Sequence, residues 1–552
     1  MEKIMKTIRR LYFYAVAFIS IEVVLWGVIG LLRSILSTEE IVNSASTLAQ
    51  ALALILVGVP IFLVHWLWAQ RVSATDEEEN SAGVRAIFLY GILLGTLIPV
   101  IQNLLAFINR TFLATADLYT YRAVVGGSQT WLDNLIAIVI NLLIAAYFWN
   151  ILKANWQSLK ETESFNEIRR LYRFVWMLYG LLMTVYGAQL ALDYIFTIPS
   201  GTLGSTGRET VVNALALLLI GSPIWYYAWR LLQDALADPA EKESYLRLGI
   251  LYLLTLGGVI VSLVAVGNVI YMLLMQLLGE GTPLQTFIHE IGAPISVGVP
   301  FVVVWAFYGK WLNQQFAFDE NLSRRAGKQR LYFYILSLLG LAATVTGLLT
   351  LFSVIIDLML GEVYLSESGF REPLASAFAT LAVGLPVWLM AWRPMQAQSL
   401  AEGSVGDHAR RSVIRKFYLY LALFASVIGG MISAGALVFN LVNAALGGDS
   451  FDLLKTILNS LLALIVFVVV LLYHLSALRK DGVSRTDALV EKQSEFRVVV
   501  FDHNGTFGES VRAAFAKRAP DVPVRILNVN EGIPGDVQAD AVVLSGSIAV
   551  NT

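Results

Sequence analysis

The sequence contains no cysteine and only five histidines among its 552 residues. The absence of cysteine excludes disulfides, thiolate metal ligands and cysteine nucleophiles. Walker loops, Gly-x-Ser-x-Gly elbows and His-Glu-x-x-His motifs are also missing, so the sequence predicts neither an enzyme nor a cofactor. No metal site is predicted either, because the histidines are scattered without ligand spacing, at His65, His289, His408, His474 and His503.

Charge is scarce as well. Only 14% of the residues are charged, whereas 57% are hydrophobic and the mean hydropathy is +0.67; typical soluble domains carry about 25% charged residues. The net charge of −2 indicates no nucleic-acid partner. Apolar runs long enough to cross about 30 Å of hydrocarbon recur along the chain. They predict a lipid bilayer as partner and twelve transmembrane helices, near 11–36, 48–70, 87–109, 131–152, 171–196, 211–232, 248–278, 290–312, 331–360, 374–395, 416–446 and 456–478.

Two short motifs recur at nearly the same period. One is Arg-Leu-Tyr, repeated every 160 residues at Arg10-Leu11-Tyr12, Arg170-Leu171-Tyr172 and Arg330-Leu331-Tyr332. The other is Gly-x-Pro, repeated every 163 residues at Gly58-Val59-Pro60, Gly221-Ser222-Pro223 and Gly384-Leu385-Pro386. Two independent motifs at one period indicate an internal repeat. We therefore predict three tandem four-helix membrane modules, at 1–160, 161–322 and 323–480.

The distribution of Lys and Arg predicts the orientation. The N-terminus, the loops that join half-modules and the segment after the last span hold 27 of these residues up to Arg485, and the alternate loops hold six. Basic residues favour the cytoplasmic side, so we expect a protein of the cell inner membrane with both termini in the cytoplasm. At that boundary, Arg10, Arg170 and Arg330 are expected among the lipid headgroups. An aromatic belt is expected from Tyr12, Tyr172 and Tyr332, together with Trp66, Trp68, Trp149, Trp229 and Trp392.

The composition changes after the last span. Residues 481–495 are charged and are predicted to be a linker. In 496–552, the pattern predicts strands at 496–501, 522–529 and 539–544 and a helix at 507–518. This βαββ run is one flank of a cytoplasmic α/β domain. The predicted fold is therefore an all-α polytopic membrane protein that carries a short C-terminal α/β fragment.

Two resemblances follow from these motifs. The three modules resemble a bacterial membrane-domain family, domain of unknown function 5671, which implies no particular activity. The tail is similar to the start of class I glutamine amidotransferase domains over Val498–Asn504 and Ala539–Ser547. In that family a nucleophilic cysteine follows, and this chain has none, so the resemblance implies a truncated or degenerate remnant without amidotransfer. A receiver-like domain is the alternative, but its third strand needs an Asp where this chain has Ser545.

Four prolines are predicted to kink their helices, namely Pro60, Pro223, Pro300 and Pro386. Proline lacks a backbone donor and clashes with the carbonyl four residues earlier. The carbonyls thereby freed can line a hydrated path or bind a cation. Alternatively, each kink only fits a helix around its neighbours, while the nearby Gly permits close approach.

Glu22 is the strongest candidate for an intramembrane site. It lies ten residues after Tyr12, which is about 15 Å along a helix and close to the bilayer centre. A carboxylate at that depth is costly, so we expect it to face protein, with Gln102, Asn103 and Asn141 as partners and His65 as a further one. It is either a neutral residue that joins two helices or a proton- or cation-responsive site.

Two function classes remain open. The first is transport or conduction of a small solute or ion through a polar interior in module one. The alternative is a membrane scaffold or sensor that anchors the α/β domain, with a protein partner at the tail. An intramembrane enzyme is disfavoured because the spans lack paired carboxylates and a histidine cluster.

Overall fold

Twelve long apolar helices dominate the structure. The computed structural model describes residues 2–36, 44–156, 163–198, 205–279, 281–318, 322–361, 368–447, 452–531 and 538–546. Twelve of the described helices are long and apolar enough to cross a membrane, which confirms the predicted spans. They are α1 Glu2–Leu36, α2 Ser44–Thr75, α3 Gly83–Thr115, α4 Trp131–Ala154, α5 Glu163–Thr197, α6 Ser205–Asp234, α7 Tyr245–Leu277, α8 Leu284–Ala317, α9 Leu322–Met359, α10 Arg371–Leu400, α11 Val413–Ala445 and α12 Leu453–Glu495.

Successive helices pack as hairpins. Helix α1 packs on α2, α3 on α4, α5 on α6, α9 on α10 and α11 on α12, and α7 meets α8 where Gly258 approaches Trp305. The chain divides into two compact units, one of residues 1–269 with 281–318 and one of 270–280 with 319–552. Most of modules one and two falls in the first unit, and module three with the tail falls in the second.

The glycine of each Gly-x-Pro motif lies where the two helices of a hairpin cross. A Cβ added at Gly221 of α6 would lie 2.6 Å from Met183 Cβ of α5. Gly384 approaches α9 and Gly58 approaches α1 in the same way, with nearest distances of 2.7 and 2.8 Å. A side chain at any of the three positions would force the helices apart. The glycine of this motif therefore serves close helix packing.

The four prolines predicted to kink their helices lie inside continuous helices. Pro60 is within α2, Pro223 within α6, Pro300 within α8 and Pro386 within α10. None of them ends its helix, so neighbouring turns retain the helical path on both sides. The size of each kink, and a path lined by freed carbonyls, stay predictions.

The tail forms the predicted βαββ fragment. Its elements are β1 Val498–Asp502, α13 Thr506–Arg518, β2 Val524–Asn528 and β3 Ala541–Leu544. The strands are parallel in the order β2-β1-β3, with β1 in the centre and buried along its whole length. After β1, the Asp502 carboxylate accepts the backbone N–H of Gly508 at 2.8 Å and so caps α13. Ser547, part of the turn predicted after β3, lies outside the described residues.

The segment predicted to be a linker is helical. Helix α12 continues without interruption from the membrane span to Glu495, three residues before β1. Residues 481–495 contain no proline and mix acidic and basic side chains, a composition that suits an exposed helix as well as a loop. The last span and the tail are thereby joined by one helix of 43 residues.

The glycine crossing predicts the effect of Gly221→Ala. The added methyl group would overlap Met183 Cβ at 2.6 Å, and overpacking of this kind costs about 1–3 kcal/mol. Equilibrium unfolding in mixed detergent micelles should show a lower unfolding free energy than wild type. The matched control is Gly249→Ala in the same module, where nothing lies within 4 Å of the new Cβ; its stability should stay equal or rise. Equal stability of both variants would contradict the close crossing.

Candidate functional site

Each module buries one arginine near the start of its third helix. These residues are Arg85, Arg247 and Arg415, with 1, 3 and 0% of their surface exposed. Each donates hydrogen bonds to a glutamine of the second helix of its module, at 3.1, 3.4 and 2.8 Å respectively: Gln70, Gln233 and Gln396. A guanidinium removed from water is costly unless its donors are satisfied. The three sites are therefore one repeated polar cluster, which the sequence analysis missed.

A tryptophan precedes each of these glutamines by four residues, one helical turn along the same face. Trp66, Trp229 and Trp392 are buried, so the prediction that they belong to an aromatic belt is wrong. They face the interior of their modules, where Arg247 lies 5.8 Å over the Trp229 ring and Arg415 lies 5.4 Å over the Trp392 ring. Trp149, in contrast, is exposed. The repeated Trp-x-x-x-Gln pattern at a period of 163 was the available sequence signal.

In modules one and two, the arginine of the Arg-Leu-Tyr motif pairs with a buried glutamate. Arg10 Nε lies 2.9 Å from Glu79 Oε2, and Arg170 Nε lies 2.6 Å from Glu241 Oε2. Both glutamates come from the short segment that joins the two half-modules. These arginines were predicted as headgroup anchors, but their side chains turn to protein. The ion pair ties the first helix of each module to its joining segment.

The motif tyrosines differ among the modules. Tyr12 is 56% exposed, as a residue of an aromatic belt would be. Tyr172 packs on Tyr90 at 4.9 Å between ring centroids, and Tyr332 contacts Phe333 at 5.6 Å. Although Tyr12 also contacts the rings of Phe13 and His65, Tyr172 and Tyr332 are both less exposed than Tyr12.

Module three arranges its charges differently. Arg415 donates to Asp481 of α12 through Nε at 2.6 Å and through Nη2 at 3.0 Å. Arg330, the third motif arginine, has no carboxylate partner among the described residues and donates instead to the His408 carbonyl at 3.0 Å. The acidic residue of this joining segment, Asp407 in the helix Gly403–Arg411, binds the extension of α12, since Lys492 Nζ donates to it at 2.7 Å.

These two contacts hold α12 at two points along its axis. Asp481 and Lys492 are eleven residues apart, which is about 16 Å along a helix. The Arg415–Asp481 pair is bidentate and buried, the strongest geometry for such a pair. Lys492, followed by Arg410, lowers the pKa of Asp407 to about 2, so the second contact stays ionised near neutral pH. In module two, the equivalent Arg247 donates to the neutral Gln315 of α8 at 2.9 Å. Among the described residues, module three therefore differs in the charged Asp481 and in the added contact of Lys492.

Two turns further into the span from Asp481, module three buries a histidine. His474 is fully buried, and its Nε2 lies 3.3 Å from the Tyr418 hydroxyl. That hydroxyl also accepts a hydrogen bond from Ser337 Oγ at 2.9 Å. His474 therefore faces the interior of module three. Modules one and two place Phe148 and Tyr308 against the equivalent tryptophan, so only module three has an imidazole there.

Glu22 points to Gly95 of α3, the helix that also carries its predicted partners Gln102 and Asn103. A Cβ at Gly95 would lie 2.5 Å from Glu22 Oε1, and this oxygen is buried without a hydrogen bond among the described residues. Its carboxyl group faces protein on this side, as predicted. Gly95 has no side chain, and this leaves room for the Glu22 carboxylate against α3.

The other predicted site residues do not gather around Glu22. Asn103 accepts a hydrogen bond from Asn134 at 3.1 Å, and Asn141 donates to a carbonyl of its own helix at 2.8 Å. Gln102 lies beside the Tyr179 hydroxyl of module two. His65 bonds to its own helix and packs on the Tyr12 ring at 5.7 Å. The structure therefore distributes these residues over several contacts and forms no single site from them.

Comparison with known proteins identifies the repeated unit. The family model described as Domain of unknown function (DUF5671) matches residues 10–149, 170–307 and 330–489, one match in each module and more than half of the chain in total. This confirms the resemblance expected from the sequence. No curated protein and no solved structure matches the chain. The similarity of the tail to glutamine amidotransferases stays a prediction, since the family matches end before β1.

The buried pair predicts a large effect of Asp481→Asn. Removal of one buried charge leaves Arg415 without a counter-ion and should lower the unfolding free energy by about 3–5 kcal/mol, as measured in mixed micelles. The matched control is Asp234→Asn, which breaks an exposed pair with Arg230 and should cost about 0–1 kcal/mol. A similar small loss in both variants would show that Arg415 does not depend on Asp481.

Proposed function

The chain belongs to the family described as domain of unknown function 5671, and on that premise we propose that it is a membrane scaffold that holds a cytoplasmic α/β domain in a fixed position on module three. The carrying observation is the continuous helix α12, which is bound to module three through Asp481 and Lys492. A helix held at two points along its axis fixes the position and rotation of the domain that follows it. A flexible linker fixes neither. The role requires neither catalysis nor a cofactor.

The proposed location is the cell inner membrane, with both termini in the cytoplasm. The excess of Lys and Arg on the side of the N-terminus, the joining segments and the tail supports this orientation. A protein partner at the tail is supported by the β3 edge strand, where Val542 and Leu544 are 54 and 43% exposed. An exposed apolar edge is a surface on which another chain can pair.

Rigid attachment predicts a narrow distance distribution between module three and the tail. The chain has no native cysteine, so Val413→Cys and Arg512→Cys give two unique sites for spin labels. Both side chains are at least half exposed. Electron–electron double resonance should give one narrow distribution. Four glycines inserted after Val483 should broaden it, because glycine destabilises a helix interior by about 1 kcal/mol per residue.

The control is an insertion of four alanines at the same place. Alanine keeps the helix, so the distribution should stay narrow and shift, since four residues add about 6 Å and about 40° of rotation. A wild-type distribution as broad as that of the glycine variant would overturn the scaffold proposal.

Transport or conduction through module one is the second candidate. It is supported by Glu22, whose buried Oε1 lacks a hydrogen-bond partner among the described residues. An unpaired carboxyl group in the middle of a span is costly to maintain, and such groups mark ion or proton pathways in membrane proteins. The Asn103–Asn134 pair, separate from Glu22, adds to the polar character of module one.

Transport predicts that Glu22→Gln abolishes flux. In proteoliposomes with an internal pH-sensitive dye, wild-type protein should dissipate a proton or cation gradient, and the variant should not, because the amide cannot release a proton. The control is Glu290→Gln, an exposed carboxylate within α8, which should leave flux unchanged. An absence of flux in wild type, or equal flux in wild type and Glu22→Gln, would remove this candidate.

A further inference from the structure

A groove of about 400 Å³ lies in the second unit, between the end of α10 and α12. Leu472 and Leu475 line its part within the span, Arg479 and Lys480 follow along α12, and Leu400 and Val483 lie at its far end. Residues 472, 475 and 479 follow a spacing of three and four, which places them on one face of α12. The groove therefore changes from apolar to cationic along one helix face.

The two cations of the groove stay available. Arg479 and Lys480 are exposed, and no described carboxylate forms an ion pair with either of them. The neighbouring Asp481 lies on the opposite face of α12, where it is buried against Arg415. Lys492, further along the helix, is already paired with Asp407. Two positive charges thus remain at the end of the span, directly beyond exposed leucines.

We propose that this groove binds an anionic glycerophospholipid. The acyl chains would lie along Leu472 and Leu475, and the phosphate would lie between Arg479 and Lys480. Leu472 and Arg479 are seven residues apart, which is about 10 Å along the helix and suits the distance from upper acyl carbons to a headgroup. Two exposed cations that form no ion pair with a described carboxylate favour a lipid with net negative charge over a zwitterionic one, whose ammonium group they repel.

The surroundings favour a lipid over a soluble anion. Leu472 is 58% exposed and belongs to a helix that is long and apolar enough to span the membrane, so acyl chains would cover it. Juxtamembrane cations beside an apolar span attract anionic lipids in general. The inference depends on the groove alone and goes beyond the scaffold proposal.

The test uses the full chain in nanodiscs of phosphatidylcholine that contain phosphatidylglycerol. Native mass spectrometry after release from the disc counts the phosphatidylglycerol molecules retained per protein. Arg479→Gln/Lys480→Gln should lower the affinity for phosphatidylglycerol about tenfold or more. The matched control, Arg71→Gln/Arg393→Gln, also removes two exposed cations near helix ends, and it should retain as much of this lipid as wild type.

Three outcomes would overturn the proposal. Equal retention by wild type and the groove variant would show that the groove does not bind the lipid. An equal loss in the control variant would show that only overall charge matters. Displacement by glycerol 3-phosphate at the same concentration as phosphatidylglycerol would assign the site to a soluble anion. An unchanged melting temperature of the groove variant verifies its fold, and the spin-label distances test the scaffold separately.

Discussion

A buried guanidinium in each module is the constraint on which the rest of the arrangement depends. Arg85, Arg247 and Arg415 are almost inaccessible to water, and a charge in that position is tolerated only when neighbouring groups satisfy its donors. Each arginine therefore fixes the second helix of its module through a glutamine. The segment that joins the half-modules must also cover the buried arginine and glutamine. The polar cluster and the glycine crossing together determine how four helices pack in one module.

Module three differs from modules one and two in its ion pairs, and the repeat makes this difference visible. Modules one and two satisfy the motif arginine inside the module, through Glu79 and Glu241. In module three, the motif residue Arg330 donates to the His408 carbonyl, and two ion pairs reach α12, namely Arg415–Asp481 and Asp407–Lys492. Among the described residues, the equivalent Arg247 of module two reaches α8 only through the neutral Gln315. These two ion pairs attach α12, and through it the tail, to the same four-helix arrangement that the other modules have. A buried pair in low dielectric is costly to break, which keeps this attachment in one geometry.

The polar groups inside the spans also differ from one module to another. Module one holds Glu22 against Gly95, and module three holds the chain Ser337–Tyr418–His474. Neither group recurs in the other modules. At the position of His474, modules one and two have Phe148 and Tyr308, and the Tyr308 hydroxyl bonds to Trp225 and Met177 instead, so the common fold requires neither Glu22 nor His474. They are specific to the module that contains them.

The sequence alone determined the twelve spans, the threefold repeat and the order of strands and helix in the tail, because hydrocarbon thickness sets helix length and side-chain alternation sets strands. It also indicated the depth of Glu22. Depth along a helix does not fix the direction of a side chain around it, so the neighbour of Glu22 was Gly95 and none of the predicted amides. Likewise, tryptophan suits both an interface and a core, and only packing decided that Trp66 is buried. Charged residues 481–495 suit a loop or an exposed helix equally; the ion pairs of Asp481 and Lys492, formed between residues far apart in sequence, favour the helix.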